Sequence, residues 1–280
     1  MQQILLHKLI TMKNIHLILI LSFIFIGCNN QVQSQDPTPV HETFSIDSKI
    51  LNEKRIINIW TPENYSKTND SLPVMYMPDG GTAEDFPHIA NTMSELIKLK
   101  KIPPFILVGI ENTVRRRDLS GSTEVEKDKE IAPVIGGASK FRAFIKDELF
   151  TEINKRYRTN NTKGIIGESL AGLFIMETFL TQPEMFDYYI AMDPSLWWNN
   201  HYLVRTAKEH LAKFPQNNKR LWFAGSNASD ISKHTKNLAK ILTTENNKNV
   251  IFNYSNEPKE EHQTIYRATK EKALIWTLNP

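Results

Sequence analysis

Cysteine is almost absent from this sequence: Cys28 is the only one in 280 residues. A disulfide within the chain is therefore excluded, and the fold must be stabilised by its hydrophobic core. The chain also lacks paired histidines at metal-ligand spacing, which argues against the common zinc sites. We therefore predict chemistry that needs neither a metal nor another cofactor.

An excess of one charge is also missing, since 34 basic and 31 acidic residues give a formal net charge of +3. No basic stripe is present, so nucleic acid is not an implied partner. No internal repeat appears, and no long low-complexity stretch follows residue 40. The content of 40% hydrophobic and 10% aromatic residues suits one large globular domain, or at most two.

The longest apolar run, residues 15–26, is shorter than the ~20 residues that a membrane-spanning helix needs. Lys13 precedes the run and Cys28 follows it closely, which resembles the leader of a bacterial lipoprotein. We predict that residues 1–27 are a signal peptide and that Cys28 carries a lipid. Residues 28–40, rich in Gln, Asn, Ser and Pro, are predicted to be a flexible tether.

This leader predicts a lipid-anchored protein of the bacterial cell envelope, either periplasmic or exposed at the surface, with membrane contact only through the lipid. The alternative is a secreted protein whose leader is followed by an incidental cysteine. Translation starts at Met1 or at Met12, since Met12 would give a leader of ordinary length.

Residues 41–280 show the pattern of a single α/β domain. Short apolar runs without polar alternation favour a mostly parallel sheet with helices on both faces, and two alternating segments predict antiparallel strands at its N-terminal edge. The predicted strands are 42–50, 54–60, 72–77, 105–110, 164–167, 188–192, 220–224 and 250–254, and the clearest helices are 87–99 and 139–157.

Ser169 lies in the most informative segment, where a buried strand turns sharply into a helix. Gly167 and Ala171 flank the serine at two residues' distance, and Gly172 follows. Small residues at these positions are typical of a nucleophile elbow, because a strand that reverses into a helix leaves little room. Active sites of parallel sheets lie at the carboxyl ends of the strands, and Ser169 is at such an end. We therefore predict that Ser169 is a nucleophile.

A serine hydroxyl needs a base, and His262 is the best candidate among the eight histidines. It follows the last predicted strand and precedes the last helix, whereas most of the others lie in the leader or in helical stretches. The carboxylate behind the base is less clear from the sequence. Asp230 is the first choice, Asp193 the second and Glu257 the third, and a dyad without an acid is a further alternative.

An ester carbonyl under attack develops an oxyanion, which needs two N–H donors. The backbone N–H of Leu170, directly after the nucleophile, is one candidate. Gly81, in the glycine turn that follows the strand at residues 72–77, is the other.

Taken together, these residues resemble the putative esterase (esterase D-like) family of α/β-hydrolases, which includes enterochelin and other siderophore esterases and the mycolyl transferases. The resemblance implies the α/β-hydrolase fold, Ser169 as nucleophile, His262 as base and an oxyanion donor at Gly81. The matching segments are Pro73–Gly80, Val108–Asn112 with Arg115 and Arg117–Leu119, Gly167–Gly172, Pro194–Trp198 and His262.

We therefore expect a serine esterase that works through an acyl-enzyme. The resemblance suggests siderophore trilactones or acylated saccharides as substrates. Arg115 could grip an anionic group of the substrate, and Trp197 could form an aromatic wall, although Trp198 is an alternative for that role. An acyltransferase with the same nucleophile and a non-catalytic surface binding protein are the rival interpretations.

Overall fold

Eight strands form one sheet in the order β1-β2-β4-β3-β5-β6-β7-β8. The computed structural model describes residues 36–279, so the predicted signal peptide, Cys28 and the tether up to residue 35 lie outside the described residues. The strands are β1 Glu42–Ser48, β2 Glu53–Trp60, β3 Leu72–Pro78, β4 Ile106–Ile110, β5 Thr159–Glu168, β6 Tyr188–Met192, β7 Lys219–Gly225 and β8 Val250–Asn256.

The directions of the strands confirm the predicted sheet. β1 pairs with β2, and β2 with β4, in antiparallel fashion at the N-terminal edge. Every other pair is parallel. Burial explains the sequence pattern, because all five residues of β4 are buried whereas β1 alternates between exposed and partly buried positions. The carboxyl ends of β3 to β8 consequently meet at one edge of the sheet.

Helices cover both faces of this sheet, as predicted. Apolar residues of α1 and α9 form the core on one face, and those of α4 to α8 form the core on the other. The helices are α1 Phe86–Lys98, α2 Arg115–Leu119, α3 Glu126–Ile131, α4 Ala138–Ala143, α5 Phe150–Arg156, α6 Leu170–Thr181, α7 Trp198–Leu211, α8 Ser229–Glu245 and α9 Ile265–Leu278.

The predicted helix at residues 139–157 is regular only at its two ends. A π-helical turn, Phe144–Leu149, joins α4 to α5 and buries Phe144, Ile145 and Leu149. The short helices α2 and α3 were not predicted, because each is largely charged and offers no apolar periodicity. Over residues 36–279, none of the helices combines the length and hydrophobicity that a bilayer-spanning segment requires.

A left-handed run interrupts the start of α7. Asn199, Asn200 and His201 all have positive φ, between 49° and 51°. The buried Asp128 of α3 accepts a hydrogen bond from the backbone N–H of Asn199 at 2.7 Å. It also accepts one from the Thr123 hydroxyl at 2.7 Å. Helix α3 is therefore bound directly to the strained turn that follows Trp197 and Trp198.

Candidate active site

Ser169 lies on the turn between β5 and α6, in a backbone conformation that few residues adopt. Its φ of 60° and ψ of −117° lie outside the regions that favour L-residues. The turn leaves almost no space, since a Cβ on Gly167 would lie 2.7 Å from the Cβ of Ala171. The Ser169 N–H donates to the carbonyl of Met192 at 3.0 Å, which ties the turn to the end of β6. The lack of space in the turn therefore explains the small residues at positions 167 and 171, as the sequence analysis predicted.

His262 is next to the serine hydroxyl, as predicted. The Nε2 atom of His262 lies 3.1 Å from Ser169 Oγ, within hydrogen-bond distance. The histidine belongs to the loop between β8 and α9, and this loop is anchored by the Asn227 N–H, which donates to the carbonyl of Glu260 at 2.9 Å. A second hydroxyl, Ser195 Oγ, lies 3.5 Å from Ser169 Oγ.

The carboxylate behind His262 is Asp193, not Asp230. His262 Nδ1 lies 2.7 Å from Asp193 Oδ2. Asp193 is fully buried, and it also accepts hydrogen bonds from the backbone N–H and the hydroxyl of Ser226, at 2.6 and 2.8 Å. These bonds fix the carboxylate beside Nδ1, so that Nε2 is the ring nitrogen that faces the serine hydroxyl.

Asp230 was the first choice for this position, and the structure contradicts it. Asp230 lies exposed in the first turn of α8, where its charge is near enough to His262 only to raise the pKa of the imidazole slightly. Glu257 is not the acid either, because it pairs with Lys272 and accepts a hydrogen bond from Ser255. The strand β6 lies directly beside β5, so its end brings Asp193 closest to the nucleophile.

The hydrogen bond to Asp193 is the main cause of a raised pKa at His262. Burial acts in the opposite direction, and the charge of Glu168 adds to the increase. Both carboxyl groups favour the protonated imidazole, the form that a histidine reaches after it accepts a proton from serine.

The two predicted oxyanion donors differ in the structure. Leu170 is the first residue of α6, so its N–H has no acceptor within the helix. The Gly81 N–H, in contrast, donates to Glu84 Oε2 at 2.6 Å. The predicted oxyanion donor Gly81 is therefore engaged by a carboxylate in this structure, and its role stays a prediction. Burial raises the pKa of Glu84, although the hydrogen bonds from Gly81 and Asn112 oppose this effect.

The loop that carries Gly81 is held by side chains. Arg115 forms a two-pronged ion pair with Asp79, with its Nε and Nη2 atoms 2.6 and 2.7 Å from the two carboxylate oxygens. Asn112 donates to Asp79 and to Glu84, at 2.6 and 2.7 Å. We define these residues, Asp79, Gly81, Glu84, Asn112 and Arg115, as the oxyanion-loop network. The predicted substrate ligand Arg115 is thus already engaged within the protein.

Glycine is required at Gly80 in the same loop. A Cβ at this position would lie 2.2 Å from the backbone nitrogen of Ile110, so any larger residue would separate the loop from β4. The Gly80 N–H donates to the carbonyl of Ile110, and its own carbonyl accepts a hydrogen bond from Asn58. The glycine turn therefore packs against two strands.

The strands β3, β5 and β6, which are neighbours in the sheet, are each followed by a residue with positive φ. The residues that follow or terminate β3, β5 and β6, namely Asp79, Ser169 and Asp193, have positive φ values of 57°, 60° and 45°. None of them is glycine, and such conformations store strain of about 1–3 kcal/mol each. Strain of this kind clusters at functional sites, and here it directs three polar side chains to one edge of the sheet.

Trp197 and Trp198 have different environments. Trp198 is buried, and its Nε1–H donates to the carbonyl of Gly121 at 3.2 Å. Trp197 is partly buried and, with Asp230 and Ile131, lines a pocket of about 390 Å³. The other residues that line this pocket are Val125, Lys127, Asp128 and Asn200. Trp197 is thus the more accessible of the two tryptophans, and its role as an aromatic wall stays a prediction.

The sequence interpretation missed Glu84, Ser226 and Glu168. Glu84 accepts a hydrogen bond from Gly81 within one turn, and Ser226 donates to Asp193 on a neighbouring strand end; no spacing rule predicts either contact. Glu168, directly before the nucleophile, could have been noticed, since a carboxyl at the end of a buried strand is unusual. Among the described residues, no group of three or more potential metal-ligating side chains is arranged to hold a metal ion.

Comparisons with known proteins identify the family of this chain. The family model described as putative esterase matches residues 48–278. The ferri-bacillibactin esterase BesA of Bacillus subtilis is 26% identical over 235 residues, which cover 74% of this chain and 79% of that protein. The siderophore enterobactin esterase of Emericella nidulans is 34% identical over 80 residues, 28% of this chain and 26% of that protein.

A solved structure extends the similarity over most of the domain. The IroE-like serine hydrolase from Shewanella oneidensis is 28% identical, with a TM-score of 0.76, and the match covers 85% of this chain and 79% of that one.

Proposed function

This chain belongs to the putative esterase family, and we propose that Ser169, His262 and Asp193 form its catalytic triad. The chain is an esterase with the α/β-hydrolase fold. The single observation that supports the triad most strongly is the unbroken hydrogen-bond path from Asp193 through His262 to the Ser169 hydroxyl, with distances of 2.7 and 3.1 Å.

In the proposed reaction, Ser169 Oγ attacks the ester carbonyl while His262 Nε2 accepts the hydroxyl proton. The resulting imidazolium is stabilised by the buried Asp193 carboxylate. When the tetrahedral intermediate collapses, the bond to the leaving alcohol breaks, and His262 returns the proton to that alcohol. Water then attacks the acyl-enzyme with the same base, which releases the acid and restores Ser169.

The oxyanion of the intermediate is stabilised first by the N–H of Leu170. The N–H of Gly81 becomes a second donor only when it exchanges the Glu84 carboxylate for the substrate oxygen. Such an exchange trades one anionic acceptor for another, so it changes the number of hydrogen bonds little.

We propose ester bonds of siderophores as the substrate class. The support comes from the two siderophore esterases to which the chain is similar. The partly buried Trp197 remains the proposed aromatic wall for a bulky ester. The engaged Arg115, in contrast, is better described as part of the loop than as a ligand for the substrate.

The envelope location follows from the leader alone and is likewise a proposal. A lipid on Cys28 would hold the domain at a membrane surface. Incorporation of radiolabelled palmitate into the wild-type protein but not into Cys28→Ala, in bacterial cells, is the expected result. Equal labelling of both proteins would contradict it.

A fluorophosphonate probe tests the nucleophile directly. We expect one adduct per chain by intact-mass analysis, located on Ser169 by peptide mapping and absent from Ser169→Ala. An intact fold without an adduct would overturn the proposal, provided that a known serine hydrolase labels in parallel.

The substrate class needs a second experiment. A ferric siderophore trilactone should be opened to linear products by the wild-type protein, as followed by liquid chromatography and mass spectrometry. If the probe labels Ser169 but the trilactone stays intact, the triad holds and the substrate class is wrong. Faster acyl transfer to an added alcohol than to water would instead identify an acyltransferase.

A further inference from the structure

Glu168 is a carboxyl group of the site that the proposed reaction does not use. It is the last residue of β5 and directly precedes Ser169. Its Oε1 atom is buried and has no hydrogen-bond partner among residues 36–279. A buried carboxyl oxygen without a partner is costly in its charged form, so this residue requires an explanation.

The register of the sheet places Glu168 between two aspartates. Ile165 pairs with Tyr76, three residues before Asp79, and Glu168 pairs with Met192, one residue before Asp193. The strands β3, β5 and β6 thus each place one carboxyl group at the carboxyl end of the sheet, and the three groups lie at nearly the same register position.

The two outer carboxyl groups each have a basic partner, which is Arg115 for Asp79 and His262 for Asp193. Glu168, in the middle, makes no ion pair within the part of the chain that the structure describes. A negative charge there would be flanked by two further carboxyl groups, so the neutral acid is favoured.

We propose that Glu168 is a second proton-holding group coupled to His262, and that it sets the pH range over which the imidazole is free to accept the proton of Ser169. This inference rests on the proposed function. Glu168 acts through His262, so it is a positioning residue and not a catalytic one.

The electrostatic surroundings agree with this role. Burial, the largest cause, raises the pKa of Glu168 to about 8. The positive form of His262 lowers the pKa of Glu168, and in return the negative form of Glu168 raises the pKa of His262. The titratable groups around Glu168 come from several elements: Asp85 before α1, Arg115 on α2, Asp79 after β3, Asp193 after β6, His262 before α9 and the buried hydroxyl of Tyr266 on α9.

Two groups that interact in this way lose their protons as a pair. When His262 holds a proton, Glu168 releases its own more readily, and the single remaining proton is shared between them. The wild-type imidazole is therefore freed over a broad pH range. A neutral isostere at position 168 removes the carboxylate that stabilises the imidazolium, so the base should become free at lower pH and in one step.

The test is the rate of fluorophosphonate labelling of Ser169, measured between about pH 5 and 9.5 to span the usual histidine range. Glu168→Gln keeps the shape of the neutral acid. Glu261→Gln is the matched control, because Glu261 precedes His262 in the chain but is exposed.

We expect the midpoint of the Glu168→Gln profile to lie about half a pH unit or more below that of the wild type. The profile should fit a single ionisation, and Glu261→Gln should follow the wild type. Identical midpoints for Glu168→Gln and wild type would overturn the inference while the triad stands. No labelling of the wild type at any pH would instead overturn the proposed function.

A measurement on the wild-type protein keeps the inference testable if Glu168→Gln does not fold. Ring carbons of ¹³C-labelled histidine report each imidazole separately, and the His262 signal is the one lost in His262→Gln. We expect this signal to titrate in two steps. A single-step titration would contradict the coupling.

Discussion

The two halves of this active site are built differently. The acid–base half, formed by Ser169, His262 and Asp193, is joined by direct hydrogen bonds, and its strained residues are tied to strand ends by their own backbone atoms. The oxyanion-loop network is held mainly by charged side chains, and one of them occupies the N–H of Gly81.

This difference separates contacts that the folded backbone fixes from a side-chain contact that a substrate could replace. The bonds from Ser169 to Met192 and from Asp193 to Ala224 join backbone atoms only, so no side chain has to move to keep them. A carboxylate that accepts a hydrogen bond from Gly81 can be exchanged for the oxygen of a substrate. In the proposed reaction, the acid–base half is in place before the substrate binds, whereas the loop half is completed when the substrate oxygen replaces Glu84.

Asp193→Asn should break the acid–base half most severely. An asparagine can stabilise the wrong tautomer of His262 and cannot stabilise the imidazolium, so kcat should fall by about 10²–10⁴-fold with KM little changed. Asp230→Asn is the matched control and should stay within about twofold of wild type, because an exposed charge at that distance is screened. The measurement is steady-state hydrolysis of a p-nitrophenyl ester, and a greater loss in Asp230→Asn would reverse the assignment of the acid.

Arg115→Gln should disrupt the loop half through Asp79. Asp79 is buried and would lose its two-pronged partner, so we expect a loss of about 2 kcal/mol in unfolding free energy, reduced because Arg115 is partly exposed. Displacement of the loop should lower kcat/KM by about tenfold. Urea unfolding and ester hydrolysis measure the two effects. Arg116→Gln, an exposed neighbour on α2, should change neither by a comparable amount.

Glu84→Gln tests whether the Gly81 N–H is really exchangeable. An amide oxygen accepts a hydrogen bond less strongly than a carboxylate, so the substrate oxygen should displace it more easily. We expect kcat to rise by about two- to fivefold, with Glu95→Gln on the exposed face of α1 as control. A tenfold loss in Glu84→Gln would instead show that Glu84 holds the loop in its active shape.

Glu168 lies between the two halves, and its substitution should have the smallest effect. We expect that effect on the pH dependence of the stability. Its pKa of about 8 in the folded protein is well above the usual value near 4.3. Between these two values the folded state holds a proton that the unfolded chain has released. The contribution of Glu168 to stability therefore falls as the pH rises from about 4.3 to 8.

The melting temperature of Glu168→Gln should thus exceed that of wild type by a few degrees more at pH 7 than at pH 6, because one pH unit in this range corresponds to about 1.4 kcal/mol and each kcal/mol to about 2–4 °C. Differential scanning calorimetry at the two pH values measures this. The same difference at both values would place the pKa of Glu168 elsewhere.

The elements of the fold were predictable where the signal is local. Apolar runs such as β6, Tyr188–Met192, show the strand directly, and the sharp turn at Ser169 is visible in its small neighbours. The short helix α2 was missed because Arg115–Leu119 is stabilised by ion pairs with distant residues, including that between Arg117 and Glu53, and not by an apolar face.

The sequence predicted that Ser169 and His262 lie together, but it did not identify the carboxylate next to the histidine. Asp230 and Asp193 both follow a strand, and the sequence does not reveal which strand lies next to β5. Adjacency in the sheet decides the matter, since β6 separates β5 from β7. The capture of Gly81 by Glu84 is a side-chain rotamer within one tight turn, which no spacing rule predicts.

The positive φ of Ser169 affects how the stability of this protein could be improved by mutation. Glycine is the residue that such a backbone accepts with the least strain. A procedure that optimised stability alone would favour glycine at the very position where the hydroxyl is needed, and it would produce a sturdier protein that has lost its nucleophile. In this domain, the backbone conformation at position 169 sets the stability of the fold against the presence of the serine hydroxyl.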